Sequence, residues 1–334
     1  MSAKILRAGF LTTVQDLGRV GFREFGVSLG GALDSHALRV ANLLVGNDES
    51  DAGLEITLGG LRIRFDDERT VAWCGGEFDV RVGSTSLPSG HAIFISAGEE
   101  LIVNPPKRGC RSWLTISGGI GVPIVLGSRS TDLRGTFGGM KGRALRDGDV
   151  IPLNKIRGSS ALATLRRGRQ TAATEKVSSW SAPVEWTTTA KENPVLRFIR
   201  GADWNRFNDV TIQRLTGDSF AVSPDSDRMG ARLDGPELKR NEDVDLVSEA
   251  VAPGTIQVPP SGQPIVLLGD CQTIGGYPKI AHVITVDLPI AAQLRAGDTV
   301  RFQEISLTDA HRLLYERERE LERFRIGLSL RPQA

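Results

Sequence analysis

Polar side chains that could do chemistry concentrate in a few glycine-rich stretches of this sequence. Thr12-Thr13-Val14-Gln15-Asp16-Leu17-Gly18-Arg19 sets two hydroxyls, an amide, a carboxylate and a guanidinium within eight residues. Asp34, Asn42 and Asn47 mark the polar side and ends of a helical pattern. Gly127-Ser128-Arg129-Ser130-Thr131-Asp132 precedes Gly138-Gly139, and Ser226-Asp227-Arg228-Met229-Gly230 follows in the second half. The last stretch runs from Gln257 to Tyr277 and contains Asp270-Cys271-Gln272-Thr273-Ile274-Gly275-Gly276. Such groups suit binding and polarising a small polar substrate. Arg19, Arg129 and Arg228 offer bidentate donors for carboxylate or phosphate oxygens. Backbone N–H groups at Gly138-Gly139 and Gly275-Gly276 could stabilise an oxyanion. Asp16 or Asp270 could act as general base or orient water. A turn or an ion pair that fixes a loop is the structural alternative at each position.

Asp16, Arg228 and Asp270 are therefore the candidate catalytic residues. Thr13, Gln15, Arg19, Asn42, Arg129, Ser130, Thr131, Gln257, Gln272, Thr273 and Tyr277 are the candidate substrate-binding residues. The segments 12–19, 127–131 and 270–277 are expected to converge on one site between the two halves of the chain. Cys271 sits in the last cluster without a histidine nearby in sequence, which favours a buried structural thiol over a nucleophile. The sequence has no phosphate loop, no C-x-x-C, no H-E-x-x-H and no G-x-S-x-G. A self-contained P-loop, zinc or serine hydrolase is thus not expected, and no metal motif is visible.

Short strands must carry these clusters. Gly accounts for 38 of 334 residues, and β-branched runs alternate with glycine pairs. Leu54–Thr57 and Leu61–Phe65, separated by Gly59-Gly60, read as a hairpin. Only two helices stand out. One spans Ser35–Val45, capped by Asp34; the other spans Asp309–Arg325, with charge pairs three apart that suit a solvated face. Residues 155–193 lack periodicity and read as a linker or long excursion. Its Arg166-Arg167-Gly168-Arg169 has no interleaved aromatics, which argues against a nucleic-acid patch.

The halves resemble each other. Leu145-Arg146-Asp147-Gly148-Asp149 and Leu294-Arg295-Ala296-Gly297-Asp298 each enter a strand. Cys74-Gly75-Gly76-Glu77-Phe78 and Arg200-Gly201-Ala202-Asp203-Trp204 each join a small turn, an acid and an aromatic. The order is kept, which points to duplication of one β-rich domain. The domains are then 1–154, a linker at 155–193, 194–307, and a charged helix and tail at 308–334. Lys plus Arg number 41 and Asp plus Glu 40, a balance that disfavours nucleic-acid and membrane-surface binding. An N-terminus without an apolar signal region and three scattered cysteines suggest a cytoplasmic location.

Nine ordered motifs carry a resemblance: T-T-V-Q-D-L-G-R at 12–19, G-V-S-L-G-G-A-L-D at 26–34, A-N-L-L-V-G-N at 41–47, L-E-I-T at 54–57, G-S-R-S-T at 127–131, D-R-M-G at 227–230, S-E at 248–249, I-Q-V-P-P-S-G-Q-P-I at 256–265 and Q-T-I-G-G-Y-P at 272–278. Together they resemble the family of the 5-oxoprolinase C subunit, allophanate hydrolase subunit 2 and the urea carboxylase carboxyltransferase domain. That resemblance implies a mainly β fold of two tandem cyclophilin-like β-barrel domains with few short helices. It implies one component of an ATP-dependent 5-oxoprolinase that opens 5-oxo-L-proline to L-glutamate. The implied partners are the 5-oxoprolinase B subunit, which is allophanate hydrolase subunit 1-like, and the lactam-utilisation-type A subunit. The same family also allows a carboxyltransferase subunit of a biotin-dependent urea carboxylase, or a non-catalytic antagonist of a kinase inhibitor. The chain has neither a biotin carboxylase segment nor an Ala-Met-Lys-Met sequence, which favours the first reading.

Overall fold

The computed structural model describes residues 1–157, 176–242 and 246–330. They are mostly β and fall into two compact units. One comprises 1–18, 30–190 and the chain from Leu321 onward; the other comprises 19–29 and 191–320. No helix among the described residues is long and apolar enough to cross a membrane.

In the first unit the strands are β1 Ser2–Ala8, β2 Leu11–Gln15, β3 Gly53–Thr57, β4 Leu61–Phe65, β5 Arg69–Glu77, β6 Val80–Val82, β7 Thr85–Leu87, β8 His91–Ile95, β9 Glu100–Val103, β10 Arg108–Ile116, β11 Val150–Pro152 and β12 Val177–Ser181. They form two six-stranded sheets, in the orders β11-β1-β4-β9-β6-β7 and β12-β8-β5-β10-β3-β2. In β4, Leu61, Ile63 and Phe65 are buried while Arg62 and Arg64 face water, the alternation that commits one face to a core. Residues of both sheets, Ile5, Ile63 and Leu101 from one and Ile56, Trp73 and Leu114 from the other, share one apolar core.

The hairpin expected at 54–65 does not form. β3 pairs with β2 and β10, whereas β4 pairs with β1 and β9. The cause lies in the connection. Leu58, Gly59 and Gly60 all take positive φ (55, 72 and 84°), which carries the chain from one sheet to the other. A Cβ at Gly59 would lie 2.4 Å from the Asn104 carbonyl oxygen, so glycine is required there.

The stretch 155–193, expected as a linker or excursion, is described only in part. Residues 158–175, with the arginine cluster, lie outside the described residues. Residues 176–190 group with the first unit, where β12 pairs with β8 and Trp186 packs edge-on against His36 at 5.1 Å. Trp186 belongs to a one-turn helix, α2 (Val184–Thr187), which follows α1 (Ser35–Leu44) in chain order. α1 begins as expected: an Asp34 carboxylate oxygen accepts from the Ala37 N–H at 2.8 Å.

The second unit is a closed barrel. Its strands β13 Val195–Arg200, β14 Ser219–Val222, β15 Gly230–Asp234, β17 Thr255–Gln257, β18 Ile265–Leu267, β20 Lys279–Val283 and β21 Thr299–Glu304 close in the order β13-β20-β17-β18-β15-β14-β21. A small ladder of β16 Glu249–Ala250 and β19 Ile274–Gly275 stands apart from the barrel. Phe302 meets Phe220 at 5.7 Å and Phe198 at 6.4 Å, both edge-on, inside the barrel. Helix α3 (Asp209–Gly217), capped by Asn208, carries no apolar stripe in its sequence; only Thr211 and Leu215 are buried. α4 is one turn, Leu288–Ala291. α5 runs over Leu307–Ser329 and is not a uniformly solvated rod. Arg317 donates to the Val286 and Thr285 carbonyls, Leu321 is buried, and Phe324 packs edge-on against Trp186.

Of the two matches between the halves, the Leu-Arg-x-Gly-Asp corner repeats in structure, whereas Cys74–Glu77 lie within β5 and 201–204 lie beyond the end of β13. Gly148 and Gly297 sit at φ 88 and 87°. The Arg146 N–H reaches an Asp149 carboxylate oxygen at 2.8 Å, and the Arg295 N–H reaches Asp298 at 3.0 Å. In each unit the glycine N–H and the aspartate carbonyl then pair with one residue of a neighbouring strand, Ile5 in the first and Val222 in the second. Neither glycine has a neighbour within 4 Å of a built Cβ. Gly148→Ala and Gly297→Ala should therefore each lose only the backbone term, about 1 kcal/mol, in urea unfolding.

His282 on β20 is largely buried, with Nδ1 3.3 Å from the Thr255 hydroxyl. Burial pushes its imidazole below its ordinary range. The unfolded chain then takes up a proton near pH about 6.5 while the folded barrel does not. Stability should fall as pH drops below that value, and His282→Gln should flatten the slope of the urea midpoint between pH 7.5 and pH 5.

Candidate functional site

The sequence-predicted residues fall into two groups, one in each unit. In the first, Asp16 follows directly on β2 and is buried. One carboxylate oxygen accepts from the Ser128 hydroxyl at 2.5 Å, the Ser130 hydroxyl at 2.6 Å and the Gly18 N–H at 2.9 Å. The other accepts from the Arg129 N–H at 2.5 Å. The Ser130 hydroxyl in turn accepts from the Asp16 N–H at 2.8 Å. These bonds bring the segments 12–18 and 127–131 together. Four donors occupy the carboxylate, so the geometry gives Asp16 the work of an anchor for the loop rather than of a base facing a substrate.

The surrounding polar groups are turned inward too. Gln15 donates to the Thr13 hydroxyl at 3.0 Å and to the Thr131 carbonyl at 3.2 Å. Thr131 donates through N–H and hydroxyl to the Val14 carbonyl, and so extends the ladder past β2. The Arg129 Nε donates to the Val122 carbonyl at 3.1 Å. Asn42 donates to the Asp51 carbonyl at 2.7 Å and accepts from Asn47 at 3.0 Å, fixing the end of α1. Arg19, in the second unit, is fully buried and is not presented to solvent. The oxyanion donors expected at Gly138-Gly139 and Gly275-Gly276 are also partly committed. The Gly139 N–H goes to the Arg129 carbonyl, and Gly275 pairs with Glu249 between β16 and β19.

In the second unit Arg228 and Asp270 hold each other. Nε and Nη2 of Arg228 reach the two carboxylate oxygens at 2.8 and 2.9 Å, a bidentate pair that is 5% and 11% exposed. Each thereby fills the role expected of it toward a ligand with the other. Cys271 packs with Val251 and Leu267, and burial pushes its thiol up despite the nearby Arg23. It is a structural thiol, as read from the sequence.

Beside this pair lies a cavity of about 430 Å³ within the second unit, a volume that suits a small molecule. Met229, Leu233 and Leu267 form its apolar part, and Gln257, Gln272 and Tyr277 its polar part. Gln272 Nε2 donates to Gln257 Oε1 at 3.4 Å, and Gln257 Nε2 donates to the Tyr277 carbonyl at 3.3 Å. Each amide nitrogen carries two protons, so each keeps one for a ligand. Gly275 allows this packing: a Cβ there would lie 2.8 Å from Gln257 Nε2. Thr273 instead accepts the Val251 N–H through its carbonyl and is not part of the lining. Sequence reasoning missed Asp225, Arg232, Asp234 and Gln263, which also line the cavity. Arg232 and Asp234 are the outward positions of β15, whose burial alternates. That alternation was the available signal.

Residues 25–304 match the family described as carboxyltransferase domain, subdomain A and B. The chain belongs to that carboxyltransferase-domain family. It is 40% identical over 319 residues to the 5-oxoprolinase C subunit of Escherichia coli (strain K12), covering 96% of each chain. It is 30% identical over 338 residues to urea amidolyase of Lachancea kluyveri, covering 97% of this chain but 18% of that protein. Among solved structures, Kluyveromyces lactis urea carboxylase superposes with a TM-score of 0.87 at 29% identity, over 97% of this chain and 29% of that one. The carboxyltransferase-domain fold is therefore shared between chains of this length and segments of much longer ones.

Proposed function

We propose that this chain is the C subunit of a 5-oxoprolinase. It would work with partners of the A and B types in the ATP-dependent opening of 5-oxo-L-proline to L-glutamate. The observation that carries this reading is the 40% identity to a 5-oxoprolinase C subunit along 96% of both chains. The urea enzymes match as well along this chain, but they are several times longer.

The second-unit cavity suits a lactam. An amide side chain pairs with a cyclic amide donor to acceptor and acceptor to donor, which Gln257 and Gln272 can supply. Arg232 on the same wall can take the substrate carboxylate, and Met229 and Leu267 can face the ring methylenes. Water adds to the lactam carbonyl carbon, the C–N bond breaks, and a carboxylate and an amine result. An amide N–H aimed at the carbonyl oxygen stabilises the charge that develops there. Asp225, Asp227 and Asp234 line the same cavity, so bare triphosphate oxygens would meet like charge there. In this reading nucleotide binding belongs to a partner protein.

The test is reconstitution. Co-expressed with A-type and B-type partner chains, the protein should be required for glutamate formation from 5-oxoproline. Gln257→Leu should lower the rate by about 10²-fold, the scale of one lost oxyanion donor, while the complex still assembles. Glutamate formation without this chain, or biotin-dependent urea carboxylation instead, would overturn the reading.

A further inference from the structure

Strand register fixes the order of groups on the wall of the second-unit cavity. Gln257 on β17 stands opposite Ile265 on β18, and Ile265 stands opposite Arg232 on β15. Residues directly opposite in antiparallel strands share a face. Gln257 and Arg232 therefore end one row, roughly 10 Å apart, with aliphatic Ile265 as the floor between them. Gly230 leaves room for that floor: a Cβ there would lie 2.9 Å from Ile265 Cγ2. Asp234 follows Arg232 on the same exposed face of β15, about 7 Å along the strand. Gln257, Ile265, Arg232 and Asp234 all line the cavity.

The charges on this wall do not match a lactam alone. Asp225, Asp227 and Asp234 stand against one guanidinium, that of Arg232. The only charge on 5-oxoproline is a carboxylate, which such a wall opposes. Glutamate carries an ammonium beside its α-carboxylate, which such a wall favours. The three acids are not equivalent. Asp227 Oδ1 accepts from the Met229 and Gly230 N–H groups at 2.7 and 3.2 Å, and so shapes the turn into β15. Asp225 lies in the connection after β14. Asp234 shares its strand face with Arg232, and among the described residues neither of these two side chains makes an ion pair.

We propose that Asp234 receives the amine that ring opening sets free, so that Arg232 and Asp234 hold the α-carboxylate and α-ammonium of the product glutamate. This rests on the 5-oxoprolinase reading and deepens it. Opening adds water across the lactam C–N bond. The water oxygen goes to carbon with one proton, and the other proton goes to nitrogen. The new carboxylic acid then gives up its proton and the amine gains one, leaving carboxylate and ammonium. The lactam nitrogen is uncharged and offers Asp234 one N–H, whereas the ammonium offers an ion pair. The contact strengthens as the bond breaks, which is the kind of interaction that accelerates a reaction.

The test is calorimetry on the full chain with 5-oxo-L-proline, L-glutamate and glutarate, the last a diacid of the same length without the amine. L-Glutamate should bind more tightly than glutarate. Asp234→Asn should weaken L-glutamate by about 10-fold, the value of one hydrogen bond to a charged group, while 5-oxo-L-proline and glutarate change by less than about 2-fold. Asp234 is exposed and asparagine keeps its shape, so the variant should fold, which its urea midpoint checks. Glutarate binding as tightly as L-glutamate, unchanged L-glutamate affinity in Asp234→Asn, or an equal loss for all three ligands would overturn the proposal and leave the lactam cavity standing. Failure of 5-oxo-L-proline to bind at ~10 mM would instead overturn the reading of the cavity, and this proposal with it.

Discussion

Asp16→Ala should unfold the first unit far more readily than a typical surface change, by about 3–5 kcal/mol in urea unfolding. The deleted carboxylate accepts from two hydroxyls and two backbone N–H groups, all close to a buried position. Removing it strands those donors, and each orphan costs more than the bond it replaces. Asp16→Asn should recover part of the loss, because the amide oxygen still accepts while its NH₂ faces donors. A catalytic base would behave differently, with activity lost in both variants and stability lost in neither. Circular dichroism against urea, run beside the reconstituted assay, separates the two. If Asp16→Ala kept its unfolding midpoint, the anchoring role would be wrong.

The Arg228–Asp270 pair carries the second large effect. Either single truncation leaves a buried charge without its partner, and about 3–5 kcal/mol should be lost. The double change Arg228→Met with Asp270→Leu should cost clearly less than the sum of the singles, since no uncompensated charge remains. A double-mutant cycle by denaturant unfolding measures the coupling directly. Additive losses would show that the pair is not the unit the geometry makes it. The same variants should alter the adjoining cavity, because Arg228 directly precedes Met229 and Asp270 lies two residues before Gln272, and both of these line it.

What could be read without coordinates follows from how local each signal is. The Asp34 cap, the apolar face of α1 and the alternation in β4 are encoded within a few residues, and all appear where the spacing puts them. The grouping of Gln257, Gln272 and Tyr277 was also legible, since one glycine-rich stretch holds all three. β12 was not, because Ser178 and Ser181 interrupt any apolar alternation and its order comes from pairing with β8. The course of the chain after β3 was hidden for another reason. A Gly-Gly pair fits a hairpin as well as a corner, and only the positive φ of Leu58 in addition decides between them. The roles of Asp16 and Asp270 were invisible because residue type shows what a carboxylate can do, not how many partners 112 or 42 residues away already occupy it.

The paired corners at Gly148 and Gly297 also show what a shared turn geometry leaves undetermined. Three of the four positions serve the bend itself and stay locked by its geometry. The fourth, Asp147 in one copy and Ala296 in the other, is idle in the bend and so open to new employment. The first copy has used that vacancy: Asp147 reaches across to the Ala8 amide at 2.8 Å and pins the far end of β1. Alanine at 296 has no side-chain group to do the same. The two corners differ in the one slot that the turn itself leaves unassigned.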